Sequence, residues 1–282
     1  MFRCVSCGSK RLRNDQTIHG YLLKKCSWCG LLITQTNTAD RLKYVHEKYS
    51  GQYIEDYPSA LPKLHRRFSK HFSLIRRHKT GGRWLDVGCG TGYFLKFLKG
   101  TDSGWRVFGI EPNTLLRKLA KKISGATITD GTMDRIPFDD GYFDMISCYD
   151  VLEHSAKLKK NMQELKRVLK PDGLLLIQAP NYRSVMAFIT GARWDWWCIP
   201  DHILHFSYAS LVHSVRNNGF AILRSYTYED PADFISNVKS MFRKYFLTKA
   251  IYCLLLPLFL TAERIGWFTH LGGLTVVIAR KE

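Results

Sequence analysis

The 282-residue chain reads as an α/β protein: a largely parallel sheet with helices on both faces, preceded by a small N-terminal metal-binding module. Three observations lead there. From Arg83 onward, strand-like and helix-like segments alternate, as they do where parallel strands are joined by crossover helices. Four of the eight cysteines fall within the first 29 residues as two CxxC pairs. Hydrophobic residues make up 45% of the chain, enough to bury a core of enzyme size and too many for a disordered polypeptide.

Composition divides the chain into residues 1–38, short and cysteine-paired; residues 39–80, charged and helical in pattern; and residues 81–282, the body, with a helical insertion toward the C-terminus. The net charge is +18, of which +11 falls in the first 80 residues, so an anionic partner, surface or substrate has to be considered. Eight cysteines are too sparse for a disulfide scaffold of this length, which points to a reducing compartment. The opening MFRCVSCGSKRLR has charges where a signal peptide has an apolar segment, so a cytoplasmic location is expected. The most apolar run, Ala250 to Ala262, is 13 residues long and contains Pro257, short of the roughly 20 residues that span a bilayer.

Taken in order, the first element is Cys4-Val-Ser-Cys7, followed after 18 residues by Cys26-Ser-Trp-Cys29. Two such knuckles place four thiolates tetrahedrally around Zn2+, and Gly8 and Gly30 permit the tight turns. Four protein ligands close the coordination sphere, so the expected zinc is structural. Next, Leu61, Leu64, Phe68, Phe72 and Ile75 recur at helical intervals and predict one buried face, with Lys63, Arg66, Arg67 and Lys70 on the solvated ones. Pro62 fits the first turn.

In the body, strands are expected at residues 84–88, 105–110, 126–129, 143–149, 173–179, 220–228 and 274–280. Helices are expected at residues 93–98, 115–123, 156–169 and 209–217. Pro171, Asp172 and Gly173 are expected to end the long helix and start the next strand.

The chemistry concentrates at LDVGCGTGYF, Leu85 to Phe94, which ends a strand and opens a helix. Gly88, Gly90 and Gly92 remove side chains so that a ligand can approach backbone N–H groups. The spacing is GxGxG, without the third glycine of the dinucleotide fingerprint. Glu111 ends the next strand, where a carboxylate can accept hydrogen bonds from ribose hydroxyls.

With VFGIEPN, GTMDRIPFDDGYFDMISCYDVLEHS, LKRVLKPDGLLLIQAPN and PDHILHFSYASL, this segment resembles the class I S-adenosylmethionine-dependent methyltransferases over roughly residues 81–228. The resemblance implies a Rossmann-like methyltransferase sheet. It also implies that Asp86, Gly88, Gly90 and Gly92 hold the methionyl part of S-adenosylmethionine, Glu111 the ribose, and Thr132 and Met133 flank the adenine. Asp150 is placed beside the cofactor. Thr132 stands where many relatives have Asp.

Methyl transfer from a sulfonium depends mainly on alignment, and needs a base only where the acceptor keeps its proton. His154 and His202 are the candidate catalytic residues, with His205 beside them. Trp194, Trp196 and Trp197 are either walls of an acceptor pocket or core. Lys239 to Ala262 combines cations with an apolar run and is read either as an anionic-membrane contact or as a buried helix. The expected activity is methylation of a small molecule, a sugar, glycan precursor or lipid-linked intermediate. The alternative is RNA methylation, with the basic zinc module gripping phosphates. A third reading keeps cofactor binding without turnover.

Overall fold

The computed structural model describes residues 3–48, 61–101, 104–229 and 270–282. The expected helical insertion and the stretch Lys239 to Ala262 lie outside the described residues. No described helix is long and apolar enough to cross a membrane.

The elements run β1 (Leu12–Ile18), β2 (Tyr21–Cys26), β3 (Leu32–Thr34), α1 (Thr38–Lys48), α2 (Leu61–Ile75), β4 (Gly82–Val87), α3 (Tyr93–Gly100), β5 (Trp105–Ile110), α4 (Thr114–Ser124), β6 (Thr127–Thr129) and β7 (Phe143–Tyr149). They continue with α5 (Leu158–Val168), β8 (Leu169–Pro180), α6 (Val185–Thr190), β9 (Leu204–His205), α7 (Tyr208–Arg216), β10 (Phe220–Tyr228) and β11 (Leu274–Lys281). The main sheet has seven strands in the order β10-β11-β8-β7-β4-β5-β6. Strands β4 to β8 pair in parallel and β11 runs antiparallel to both of its neighbours, so the sheet is mixed, not purely parallel. The order reverses at β4, and a crevice at the C-terminal ends of the strands follows from that reversal.

The smaller sheet is antiparallel, in the order β1-β2-β3-β9. Its fourth strand is only Leu204–His205, contributed from the far side of the sequence, with Leu32 opposite His205 and Ile33 opposite Leu204. One hydrophobic cluster runs without a break from Cys4, Cys26, Cys29 and Leu31 to Phe143, Ile177 and Val277 of the main sheet. The cysteine segment is therefore packed on the body by the same burial that holds the sheet together.

Helix α2 forms as its periodicity predicts. Phe68, Phe72 and Ile75 are buried against Trp84, Phe94 and Leu98, with the Phe68 and Phe94 rings 4.8 Å apart. Burial of each such side chain contributes roughly 1.5–3 kcal/mol. Arg67 departs from the sequence expectation: it is buried, not solvated, because its guanidinium turns toward Asp150.

The Pro171-Asp172-Gly173 turn also lies elsewhere than expected. Strand β8 begins directly after α5, at Leu169, and the turn is an excursion within it. Across it the register jumps from Phe143 opposite Leu169 to Met145 opposite Leu174. Asp172, at φ 58°, adopts the left-handed conformation that a turn needs and a regular strand does not.

Candidate functional site

Strands β4, β5 and β7 deliver the site to one edge of the sheet. After Val87 the chain bends through Gly88, Gly90 and Gly92, at φ 67°, 53° and 81°, into α3. These backbone amides are not bare, as the sequence reading expects. Gly88 and Cys89 N–H donate to the Ile110 carbonyl at 2.9 and 3.0 Å, and Gly92 N–H donates to the Cys89 carbonyl at 2.9 Å. Gly90 N–H donates to Glu111 Oε2 at 2.9 Å. The left-handed bend curls the loop onto the end of β5 and satisfies its donors internally.

A Cβ on Gly90 would meet nothing within 4 Å, which makes this glycine an open cradle. Gly92 is different. A Cβ there would lie 2.8 Å from the Ala120 Cα of α4, so Gly92 serves helix packing and is not among the residues lining the cavity.

Glu111 accepts from both Gly90 and Asn113 N–H, each at 2.9 Å, and a carboxylate so held keeps lone-pair capacity for further donors. Its burial raises the carboxyl pKa, while the two backbone donors and Arg117 pull it back. Asp86, 4% exposed, accepts a hydrogen bond from Ser147 Oγ at 2.7 Å. Burial pushes its carboxyl up to about 7, against the Ser147 bond and with a contribution from Glu111.

On the other side, Asp150 follows β7 with φ 55°. Gln178 Nε2 donates to its two oxygens at 2.9 and 3.0 Å, Arg67 reaches Oδ2 at 3.3 Å, and Tyr228 OH donates to Gln178 Oε1 at 2.7 Å. A 3-10 turn then carries Leu152–His154. Arg41 of α1 donates to the His154 carbonyl at 3.1 Å. The His154 and His202 rings meet edge to face, with centroids 4.8 Å apart. His154 Nδ1 lies 3.0 Å from Asp201 Oδ1, and His202 Nδ1 lies 2.9 Å from the Trp196 carbonyl.

Beside them Glu153 is 1% exposed, and neither carboxylate oxygen has a hydrogen-bond partner among the described residues. Burial drives its pKa upward.

One cavity of about 810 Å3 joins these parts. Asp86, Gly88, Gly90, Glu111, Thr132, Met133, Asp150, His154 and His202 all line it. That volume suits a small-molecule site, and the open cradle at Gly90 with the paired carboxyls of Asp86 and Glu111 fits a nucleoside carrying a cationic amino-acid tail. A second groove of about 910 Å3, between α2 and α3, carries none of the site residues expected from the sequence.

His205 is directed away from the cavity, with Nε2 2.8 Å from Thr34 Oγ1, and burial lowers its pKa to about 3. The tryptophans divide. Trp196 lines the cavity, whereas Trp194 and Trp197 are buried in a separate cluster with Ile18, Leu23 and Leu32. Sequence reasoning missed Arg41, Arg67, Tyr149 and Asp201, all of which line the cavity. Tyr149, next to Asp150, and Asp201, next to His202, carried a local signal; Arg41 and Arg67 did not.

Away from the cavity, Cys4 and Cys29 Sγ lie 3.6 Å apart, as do Cys7 and Cys26 Sγ, and all four sulfurs fall within 4.8 Å of one another. A tetrahedron with Zn–S bonds of about 2.3 Å has edges of about 3.8 Å, so this donor set fits zinc. The cluster is joined to the His202 side of the cavity through β3. Thr34 N–H donates to the Ile203 carbonyl at 2.8 Å and Thr34 Oγ1 to the His202 carbonyl at 3.2 Å, while Ile203 N–H donates to the Glu153 carbonyl at 2.8 Å.

The sequence pattern of the methyltransferase-domain family matches residues 53–225, more than half of the chain. An uncharacterized protein of Methanocaldococcus jannaschii is 29% identical over 151 residues, covering 50% of this chain and 57% of that protein. The ubiquinone biosynthesis O-methyltransferase of Actinobacillus pleuropneumoniae is 33% identical over 127 residues, covering 40% of this chain and 53% of that enzyme. The match thus spans less than two thirds of the length of these relatives. In structure, an S-adenosylmethionine-dependent methyltransferase from Thermotoga maritima superposes with a TM-score of 0.57 at 18% identity, covering 82% of this chain and 97% of that one, a likeness of fold. The chain belongs to the class I S-adenosylmethionine-dependent methyltransferases.

Proposed function

We propose that the chain transfers a methyl group from S-adenosylmethionine to a small polar acceptor in the class of a sugar, glycan precursor or lipid-linked intermediate. The observation that carries this reading is the continuity of a single cavity from Gly90 and Glu111 to His154 and His202. Bound S-adenosylmethionine supplies an electrophilic methyl group on a sulfonium. Glu111 accepts from the ribose hydroxyls, Asp86 faces the cationic amine of the methionyl part, and Thr132 and Met133 flank the adenine. Asp150, fixed by Gln178 and Arg67, borders the reacting end.

An acceptor lone pair forms the new bond to the methyl carbon as the C–S electron pair returns to sulfur. Holding the acceptor in line supplies most of the acceleration. An acceptor hydroxyl must also lose its proton, and His154 and His202 are the imidazoles on that wall. The relative named as an O-methyltransferase of ubiquinone biosynthesis favours oxygen over carbon or nitrogen as the acceptor atom. Cys4, Cys7, Cys26 and Cys29 hold a structural zinc in this reading, supported by the tetrahedral spacing of their sulfurs.

Calorimetry with S-adenosylmethionine and S-adenosylhomocysteine, followed by a mass-spectrometric screen of sugars, lipid-linked glycans and RNA, tests the proposal. Binding followed by methylation of a small polar compound is expected. Absence of cofactor binding at millimolar concentration would end the reading. RNA methylation with steeply salt-dependent binding would replace the acceptor class.

A further inference from the structure

We propose that Glu153, His154 and His202 form a divalent-cation site on the acceptor wall of the cavity, separate from the cysteine cluster. One donor atom from each of the three lies within 4.8 Å of the other two. The site holds a buried carboxylate whose two oxygens have no hydrogen-bond partner among the described residues. A carboxyl left this way in a protein interior either keeps its proton or is compensated by a cation.

The imidazoles are already oriented as ligands. The Trp196 carbonyl can only accept, so His202 Nδ1 carries the proton and Nε2 the lone pair. The Asp201 carboxylate, 3.0 Å from His154 Nδ1, sets the same tautomer in that ring. A carboxylate or backbone carbonyl behind each histidine is the usual outer support of a metal-ligating imidazole. Donation from Ile203 N–H to the Glu153 carbonyl ties the turn bearing Glu153 and His154 to the segment bearing His202.

Two imidazoles and one carboxylate suit Mn2+, Fe2+, Co2+ or Zn2+, and three protein ligands leave coordination positions open. His154 and His202 line the cavity, so those positions face the acceptor. The chemical role rests on the methyl-transfer reading, although the site itself does not. The ion holds an acceptor hydroxyl oxygen and lowers its pKa, so that the proton leaves to water. The oxygen lone pair then forms the C–O bond as the C–S pair returns to sulfur. As ligands, the two histidines act by holding the ion and are not the bases that the sequence suggests.

The test is Mn2+ binding, monitored by electron paramagnetic resonance, to the full chain loaded with a single equivalent of zinc, with S-adenosylhomocysteine calorimetry on the same preparation. One Mn2+ per chain is expected, with Glu153→Gln and His202→Asn each weakening it at least tenfold and Asp201→Asn about 10–100-fold. Anomalous scattering from Mn2+-soaked crystals locates the ion without any variant, and a peak among Glu153, His154 and His202 is expected. The proposal is overturned by a chain that binds S-adenosylhomocysteine but takes up no Mn2+, by Mn2+ affinity unchanged in both Glu153→Gln and His202→Asn, or by an anomalous peak elsewhere. Mn2+ binding without S-adenosylhomocysteine binding would remove the methyl-transfer reading and leave the ion site standing.

Discussion

Arg67 Nη1 lies 3.3 Å from Asp150 Oδ2, an ion pair between residues 83 positions apart whose cation is 5% exposed. The contact fastens helix α2 to the C-terminal edge of the sheet beside the cavity. Gln178 holds the same carboxylate from the other side, and Tyr228 in turn holds Gln178. Asp150 is thus positioned by three elements, α2, β8 and β10, none of them adjacent to it in sequence.

Removing the cation in Arg67→Met leaves Asp150 with its Gln178 bonds, so the expected loss is about 1–3 kcal/mol in place of the larger penalty of a stranded buried charge. Urea titration of Arg67→Met, Asp150→Asn and the double variant measures it. Positive coupling between the two sites is expected, and additive losses would show that the pair contributes nothing.

The glycines of the β4–α3 loop separate binding from stability. Gly92→Ala places a methyl 2.8 Å from the Ala120 Cα and 3.0 Å from its carbonyl oxygen, where only backbone could yield. With the left-handed strain added, a loss above about 2 kcal/mol is expected. Gly90→Ala has open space around the new methyl and carries only the strain, about 1–2 kcal/mol. The methyl occupies the cavity, so S-adenosylhomocysteine affinity should fall at least tenfold while the protein stays folded. Equal affinity in Gly90→Ala and the parent chain would remove Gly90 from the cofactor site.

Much of the fold was legible because its signals are local. The strand-like segment Trp84–Val87 leads directly into a glycine bend, and Leu61 to Ile75 repeats every three or four residues, so neither needs a distant partner to be recognised. Leu204–His205 shows no such pattern, since a two-residue strand exists only by pairing with β3. In the sequence Arg67 looks solvated, because periodicity gives the face of a helix but not the carboxylate waiting opposite it. The cavity-lining Trp196 and the core residue Trp197 are consecutive in one 3-10 turn that Trp194 leads into, and no spacing rule anticipates its tight winding. Glu153, beside His154, gives no signal of its own, because a glutamate in a turn looks solvated until its burial is known.

The cysteine cluster sits in the same hydrophobic cluster as the main sheet, so loss of its zinc should destabilise more than residues 1–38. Cys26, fully buried, is the informative position. After dialysis against a weak chelator, metal analysis should return about one zinc per chain, the one held by the four thiolates, and Cys26→Ser should lower it along with the melting temperature. Because Thr34 bonds the backbone at His202 and Ile203, acceptor methylation should fall more than S-adenosylhomocysteine affinity. A zinc-free parent chain with an unchanged melting temperature would sink the structural role.

With Asp86 facing the methionyl amine, as proposed, cofactor affinity should depend on pH. Its folded-state pKa is raised to about 7 by burial, so in the ligand-free chain the carboxyl is largely protonated below that pH. The methionyl amine is cationic and favours the carboxylate, so binding lowers the pKa and releases a proton. The sign follows directly: affinity is full above the ligand-free pKa and declines as pH falls below it, by at most about tenfold per unit. Calorimetry of S-adenosylhomocysteine near pH 6 in two buffers of different ionisation enthalpy should show release approaching one proton. The Asp86→Asn variant should bind more weakly at pH 8 and show a flatter profile, because its amide neither titrates nor offers a charge to the amine. A parent chain with the same affinity at pH 6 and 8 and no proton release would place the amine away from Asp86, whatever the cofactor's other contacts.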